Sequence, residues 1–544
     1  MRARALPVVL AVALAAAGCT GSSDEPGTPE SEDTAVVETS APASPLTVLP
    51  EEGAAALSLG ISGALFDSAP VVVTAREDDR TGMLLAASAA VGLGVPLLVE
   101  PDDDAALADE LDRLGTGTVL AVGDAEGPTG TDVLRVPANL GAVAAVTGLS
   151  LPEADVDADD GVLGPVAALE RDDPVALVGA GDEPAADDDL GELPVVDPAD
   201  ALDGTVVLVP ATDDAVAAVA TARAAGAQVV VLDGTTDPRA SEAARSALSD
   251  GDAGSVIALG AELAAEDGLD WKLETAASGT ELPGGGQLLF PGRMMVALYG
   301  HPGTAALGVL GEQPVEAAIQ RARDTAAPYE AISGGRVVVP AFEIIATVAS
   351  EFPGADGNYS AEAEIELIRP WVEAAQAAGV YVVLDLQPGR TDFVTQAERY
   401  RSLLELPHVG LALDPEWRLA PDQVHLTQIG SVGVEEVNRV VAWLADLTRE
   451  ARLPQKLLVL HQFRTDMLPG REFLDVSRDE LAVLVHADGQ GSQGDKQATW
   501  NRVRENAPPV WWGWKNFYDE DTPMLTPEQT MDQVRPTPDL ISYQ

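Results

Sequence analysis

The chain holds a single cysteine, Cys19, so no disulfide can form within it. Basic residues are scarce as well: 32 Lys and Arg face 88 Asp and Glu, giving a formal charge of −56. A chain this acidic repels phosphate backbones and anionic headgroups, which excludes nucleic acid as a main partner. Histidine, tryptophan and tyrosine are missing from the first half, because all 5 His, 8 Trp and 7 Tyr lie beyond residue 270. Imidazole titrates near neutral pH and aromatic faces receive flat ligands, so the first half reads as scaffold or adhesive and the second as the working part. Neither GxGxxG after a first strand nor GxxxxGK followed by Ser or Thr is present, and no cofactor is expected. The runs Asp102-Asp103-Asp104 and Asp187-Asp188-Asp189 lack the glycine and glutamate spacing of a calcium loop and read as charged loop tips.

What is present begins at the N-terminus. Arg2 and Arg4 precede an apolar run from Ala5 to Ala17 that is short for a bilayer span, and small residues follow it. Leu14-Ala15-Ala16-Ala17-Gly18-Cys19 resembles the lipobox of bacterial lipoproteins. That resemblance implies a signal peptide over residues 1–18, lipidation of Cys19, and a place on the extracytoplasmic face of the cell membrane, touched through acyl chains alone. Residues 19–55 are rich in Ser, Thr, Pro, Glu and Gly, bury little, and are expected to form a disordered tether.

From residue 56 to 275, Val-rich runs alternate with Ala-rich segments of helical spacing, the signature of a doubly wound parallel α/β fold. The pattern repeats. Ala69 to Gly123 reads strand VVVTA, helix, strand VPLLVE, helix, strand TVLAVG, and Gly204 to Gly260 reads VVLVP, helix, QVVVLD, helix, SVIALG, about 135 residues later. A degenerate third copy ends at Pro174 to Gly179. These units resemble the cell wall binding repeat 2 family, which implies a partner in envelope polysaccharide or peptidoglycan. A generic α/β domain without wall affinity is the competing reading.

After Pro283-Gly284-Gly285-Gly286 a new rhythm starts, and residues 285–544 are expected to form a (β/α)8 TIM-barrel-like domain. Seven strands are identifiable, at 294–298, 337–342, 380–384, 409–413, 456–460, 481–485 and 509–514, while the eighth is not. In such a barrel all C-terminal strand ends meet at one mouth. Those ends carry Tyr299 and His301, Glu343, Asp385 and Gln387, Asp414, Glu416 and Trp417, His461, and His486 with Asp488. Glu343, Asp385, Asp414 and Glu416 are candidate catalytic carboxylates, since glycoside hydrolysis needs one protonated acid and one ionised nucleophile or base. Tyr299, His301, Gln387, Trp417, His461, His486, Asp488, Trp512 and Trp514 are candidate substrate-binding residues. The absence of HxH and HExxH leaves no metal ligand assigned, and the absence of GxSxG argues against a serine hydrolase. The whole reads as a lipid-anchored surface protein whose barrel resembles glycosidase barrels in general and binds, or hydrolyses, a glycan. A non-catalytic wall-binding structural lipoprotein is the alternative.

Overall fold

The computed structural model describes residues 34–101, 105–157, 161–179, 190–250 and 253–544. The signal sequence, Cys19 and the acidic runs at 102–104 and 187–189 lie outside the described residues.

The first half is built from parallel sheets. Strand β1 is Leu46–Leu49, and β2 (Val71–Ala75), β3 (Leu97–Val99), β4 (Thr118–Val122) and β5 (Asp132–Val136) form one sheet in the order β3-β2-β4-β5. Strands β6 (Thr205–Pro210), β7 (Gln228–Leu232) and β8 (Ser255–Leu259) form a second, ordered β7-β6-β8-β1. In each sheet the first strand of the repeat is central, with the second and third on either side, so the two copies share a topology. Their fourth strands differ in origin: β5 follows its copy, whereas β1 arrives from the N-terminal side of the chain. Among the described residues the degenerate copy contributes a parallel pair, Glu153–Val156 with Ala176–Gly179.

The expected tether is corrected from residue 34 onward. Ala35–Val36 pairs with Val196–Asp197, Glu38–Thr39 pairs with Phe66–Ser68, and β1 lies along β8. This stretch is ordered because strands elsewhere satisfy its backbone and because Ala35 and Val37 are buried in the core of the first half.

Helices α1 (Ala54–Leu65), α2 (Arg80–Leu93) and α3 (Val216–Ala224) lie at the centre of the first half. Eleven positions of α2 are buried, from Gly82 to Leu93, because alanine side chains let helices approach closely on every side. Three hydroxyls on these helices serve strand backbones. Thr221 accepts from Leu97 N at 3.0 Å and donates to Leu97 O at 2.9 Å, Ser58 accepts from Val99 N at 3.1 Å, and Ser88 accepts from Leu177 N at 2.9 Å. The open side of edge strand β3 is thereby closed without another strand.

The second half is a closed barrel of eight parallel strands in chain order. They are β9 (Arg293–Gly300), β10 (Val337–Ala349), β11 (Tyr381–Leu386), β12 (Val409–Leu413), β13 (Lys456–Gln462), β14 (Leu481–Ala487), β15 (Trp511–Asn516) and β16 (Leu540–Tyr543). The strand missing from the sequence reading is β16, which pairs with both β15 and β9 and closes the ring. Side chains alternate in and out with period two. The lower interior is one apolar cluster that includes Ala297, Ala341, Val383, Ala412, Val459, Leu484 and Leu540. Two residues further along each strand the interior turns polar: Tyr299, Glu343, Asp385, Asp414, His461, His486, Lys515 and Ser542.

The two halves meet at a seam. Lys272, on helix α4 (Leu269–Ala277), reaches Asp479 of the barrel at 2.5 Å and also pairs with Glu266. Trp271 is flanked by the guanidinium groups of Arg239 at 4.4 Å and Arg449 at 4.9 Å. The sequence contains four lysines, Lys272, Lys456, Lys496 and Lys515, and none is more than 3% exposed.

Candidate functional site

The barrel mouth opens as a cleft of about 550 Å3 lined by Tyr299, Gln387, Asp414, Glu416, Trp417, Asp488 and Lys515, with Phe463 and Phe517 among its apolar walls. Each polar group comes from a different strand end or from the turn that follows it. After β12 the chain makes a single 3-10 turn, Pro415–Trp417, capped by Asp414, whose Oδ1 accepts from Glu416 N at 3.1 Å. That cap holds Asp414 down toward the barrel axis while Glu416 and Trp417 project into the cleft wall. The Trp417 ring meets the edge of His425 at 5.4 Å, and His425 Nε2 lies 2.8 Å from Tyr359 O, so a loop contact fixes the aromatic wall.

Beneath the cleft the polar residues form a bonded layer. His461 sits between two carboxylates, with Nε2 2.6 Å from Glu343 Oε1 and Nδ1 3.0 Å from Asp488 Oδ2. Asp488 also pairs with Lys515 at 3.2 Å, and the Lys515 ammonium lies 3.8 Å from the centre of the Tyr299 ring. Tyr299 donates to Asp385 Oδ2 at 2.8 Å. His486 Nε2 lies 3.1 Å from Ser542 Oγ. Gly513 is required here, since a Cβ at that position would meet His486 Cδ2 at 2.6 Å.

Burial and charge drive these groups apart in acidity. Burial works to raise Asp488, but Lys515 and His461 overcome it and hold the carboxylate well below its usual range. Glu416, with burial and then the Asp488 charge acting on it, is raised. Asp414 is raised well above the ordinary value, chiefly by burial. Burial also pushes Asp385 up to about 6, with His461 opposing and Glu343 assisting. Glu343 is lowered, because the charge and hydrogen bond of His461 outweigh its own desolvation. Burial acts to lower His461, yet Glu343 and Asp488 reverse the effect and raise it well above its ordinary value. His486 has no such pair, and burial lowers it to about 4.

The sequence candidates divide into three groups. Asp414, Glu416, Trp417, Gln387, Tyr299 and Asp488 line the cleft. Glu343, Asp385, His461 and His486 lie directly below it, fully buried. His301, Trp512 and Trp514 stand apart. His301 turns back on its own loop, accepting from Gly303 N at 2.9 Å. Trp512 and Trp514 point out of the barrel, where both pack against Trp500 of helix α5 (Gln493–Arg504), at 5.9 and 5.7 Å. Their expected place at the mouth is corrected by the alternation of β15, which turns Trp511, Gly513 and Lys515 inward instead. Lys515 and Ser542 were absent from the candidates. The same alternation signals Lys515, whereas Ser542 could be found only once β16 was known.

The chain matches no protein family and no curated protein. Among solved structures, Cwp6 from Clostridium difficile aligns with 11% identity and a TM-score of 0.28, over 70% of this chain and 66% of that one, which is just under two thirds of its length.

Proposed function

We propose that the barrel mouth binds a cell-envelope glycan and hydrolyses it, with Glu416 as proton donor and Asp488 as the ionised nucleophile or base. The observation that carries this reading is one open cleft of about 550 Å3 on which Glu416 and Asp488 stand with Trp417 and Gln387, Asp488 paired with Lys515 at 3.2 Å and Glu416 raised by burial. Cleavage of a glycosidic bond needs that division, one group to protonate the leaving oxygen and another to act on the opposite face of the ring. Asp414, raised by its burial beside them, is placed to donate to substrate. Trp417 offers a stacking face, and Gln387 offers amide hydrogen bonds. Of the four carboxylates favoured on sequence grounds, Glu343 and Asp385 are sealed beneath the cleft, so their part is to set charge rather than to touch substrate.

In this reading the repeat region, residues 56–275, holds the protein to wall polymer, as its resemblance to cell wall binding repeats implies. The lipobox at Cys19 anchors it to the membrane, and residues 285–544 work on the glycan. Incubating the purified chain with cell-wall glycans and following reducing ends tests the chemistry. Glu416→Gln and Asp488→Asn are each expected to lower kcat by roughly 10²- to 10⁴-fold, the usual contribution of an acid or base. Glycan binding without turnover by the unmodified chain would favour the non-catalytic wall-binding alternative, and turnover that survives both substitutions would remove this pair from the mechanism.

A further inference from the structure

We propose that the polar layer beneath the cleft is a metal centre, in which Glu343, His461 and His486 ligate a divalent first-row transition ion such as Zn2+. One ligand atom from each of these residues lies within 4.8 Å of the other two, and all three side chains are buried. Ligands at 2.0–2.1 Å around a tetrahedral ion stand about 3.3 Å apart, so rotamer adjustments close the site without moving a strand.

Unmet hydrogen-bonding capacity gives the second line of argument. Glu343 Oε2, Asp385 Oδ1 and His486 Nδ1 are buried with no hydrogen-bond partner among the described residues. Orphaned buried acceptors are rare in native folds, and each costs about 1–3 kcal/mol. Three in one layer of one barrel point to a shared cation. Asp385 Oδ1 lies 3.9 Å from His461 Nε2, at the edge of this three-residue group.

The surroundings are those of a ligand shell. A metal-bound imidazole characteristically gives its other nitrogen to a carboxylate, carbonyl or similar partner that fixes the ring. His461 gives Nδ1 to Asp488 Oδ2 at 3.0 Å, leaving Nε2 toward Glu343, and His486 gives Nε2 to Ser542 Oγ at 3.1 Å, leaving Nδ1 free. The two rings are 4.9 Å apart between centroids. Asp385 is oriented in the same manner by the hydroxyl of Tyr299. Charge agrees, because the carboxylates of Glu343, Asp385 and Asp488 are buried together and, with His461 a neutral ligand, Lys515 is the cation that faces them. Imidazole with carboxylate and no thiolate suits Zn2+ or Mn2+ better than Mg2+ or Cu+. Three buried protein ligands directly beneath the cleft place the ion in its floor, which the ion braces whether or not the cleft hydrolyses a glycan.

The test uses the full chain, stripped with a chelator and titrated with Zn2+ by calorimetry and with Co2+ by visible absorption. One Zn2+ per chain, Co2+ bands of a site with nitrogen donors, and a higher Tm for the metal-loaded chain are expected. Glu343→Gln and His486→Asn should each weaken Zn2+ by about 100-fold or more, and Ser542→Ala, which leaves every ligand in place, by about 10-fold. No stoichiometric uptake of Zn2+, Mn2+ or Co2+ by the unmodified chain would overturn the proposal, as would binding left unchanged in Ser542→Ala and both ligand variants. If the ligand variants fail to fold, the Co2+ spectrum of the unmodified chain decides, and bands from oxygen donors alone overturn it.

Discussion

Lys456 shows what burial does to one charge when no counter-charge comes with it. It opens β13 at the base of the barrel, and its Nζ donates to Leu406 O and Val409 O, both at 2.8 Å. Burial lowers it from 10.5 to about 7. Between those two values the unfolded chain binds a proton that the folded chain does not, so stability rises with pH across that window and is lowest below it. The slope from this one group approaches ~1.4 kcal/mol per pH unit. Lys456→Met should flatten that limb, so the difference in urea midpoint between variant and parent should shrink from about pH 7 to about pH 10. Residue identities at the site were readable to the extent that they obeyed period two. Glu343, Asp385, Asp414, His461 and His486 each stand two residues beyond an apolar inward position, and all were identified. Alternation assigns Trp512 and Trp514 outward, against the expectation that their aromatic faces line the mouth. The split between cleft and buried layer had no sequence signal, since the depth of a side chain depends on the stagger between neighbouring strands.

At the scale of elements, the hydroxyl of Thr221 matters more than its small size suggests. It sits on a helix of the second repeat and closes the backbone of β3 in the first, so one side chain joins the two copies. Thr221→Val keeps the shape and orphans Leu97 N and O. We expect a loss of about 1–3 kcal/mol in denaturant unfolding, with faster amide exchange along β3 than along β2. Helices and strands were readable from apolar periodicity, the barrel strand Val409–Leu413 to the residue. Two elements escaped for different reasons. Strand β16 is four residues long and follows a Pro-rich stretch, so it has too few alternations to declare a period. Residues 35–49 have tether-like composition and become strands only through partners distant in sequence, Val196 and Val256 among them. Composition measures what a segment can bury by itself and is silent about what is lent to it.

Across the whole molecule, positive charge is a limited resource set against −56. All four lysines are drawn inward: Lys272 to the seam, Lys456 to the base of the barrel, Lys515 to its mouth, and Lys496 to Asp521 at 2.8 Å. The remaining surface is therefore acidic and bears essentially no lysine. This has a chemical consequence. A folded chain offers almost no side-chain amine to acylating reagents, and each cooperative unfolding event exposes four. Pulse acylation along a urea gradient, read by mass, should step from nearly unmodified to fully modified at the unfolding transition. Lys272, which belongs to the seam, should react earlier if the two halves separate before the barrel opens. The buried lysines thus make the native protein inert to amine chemistry and turn every unfolded copy into a reactive one.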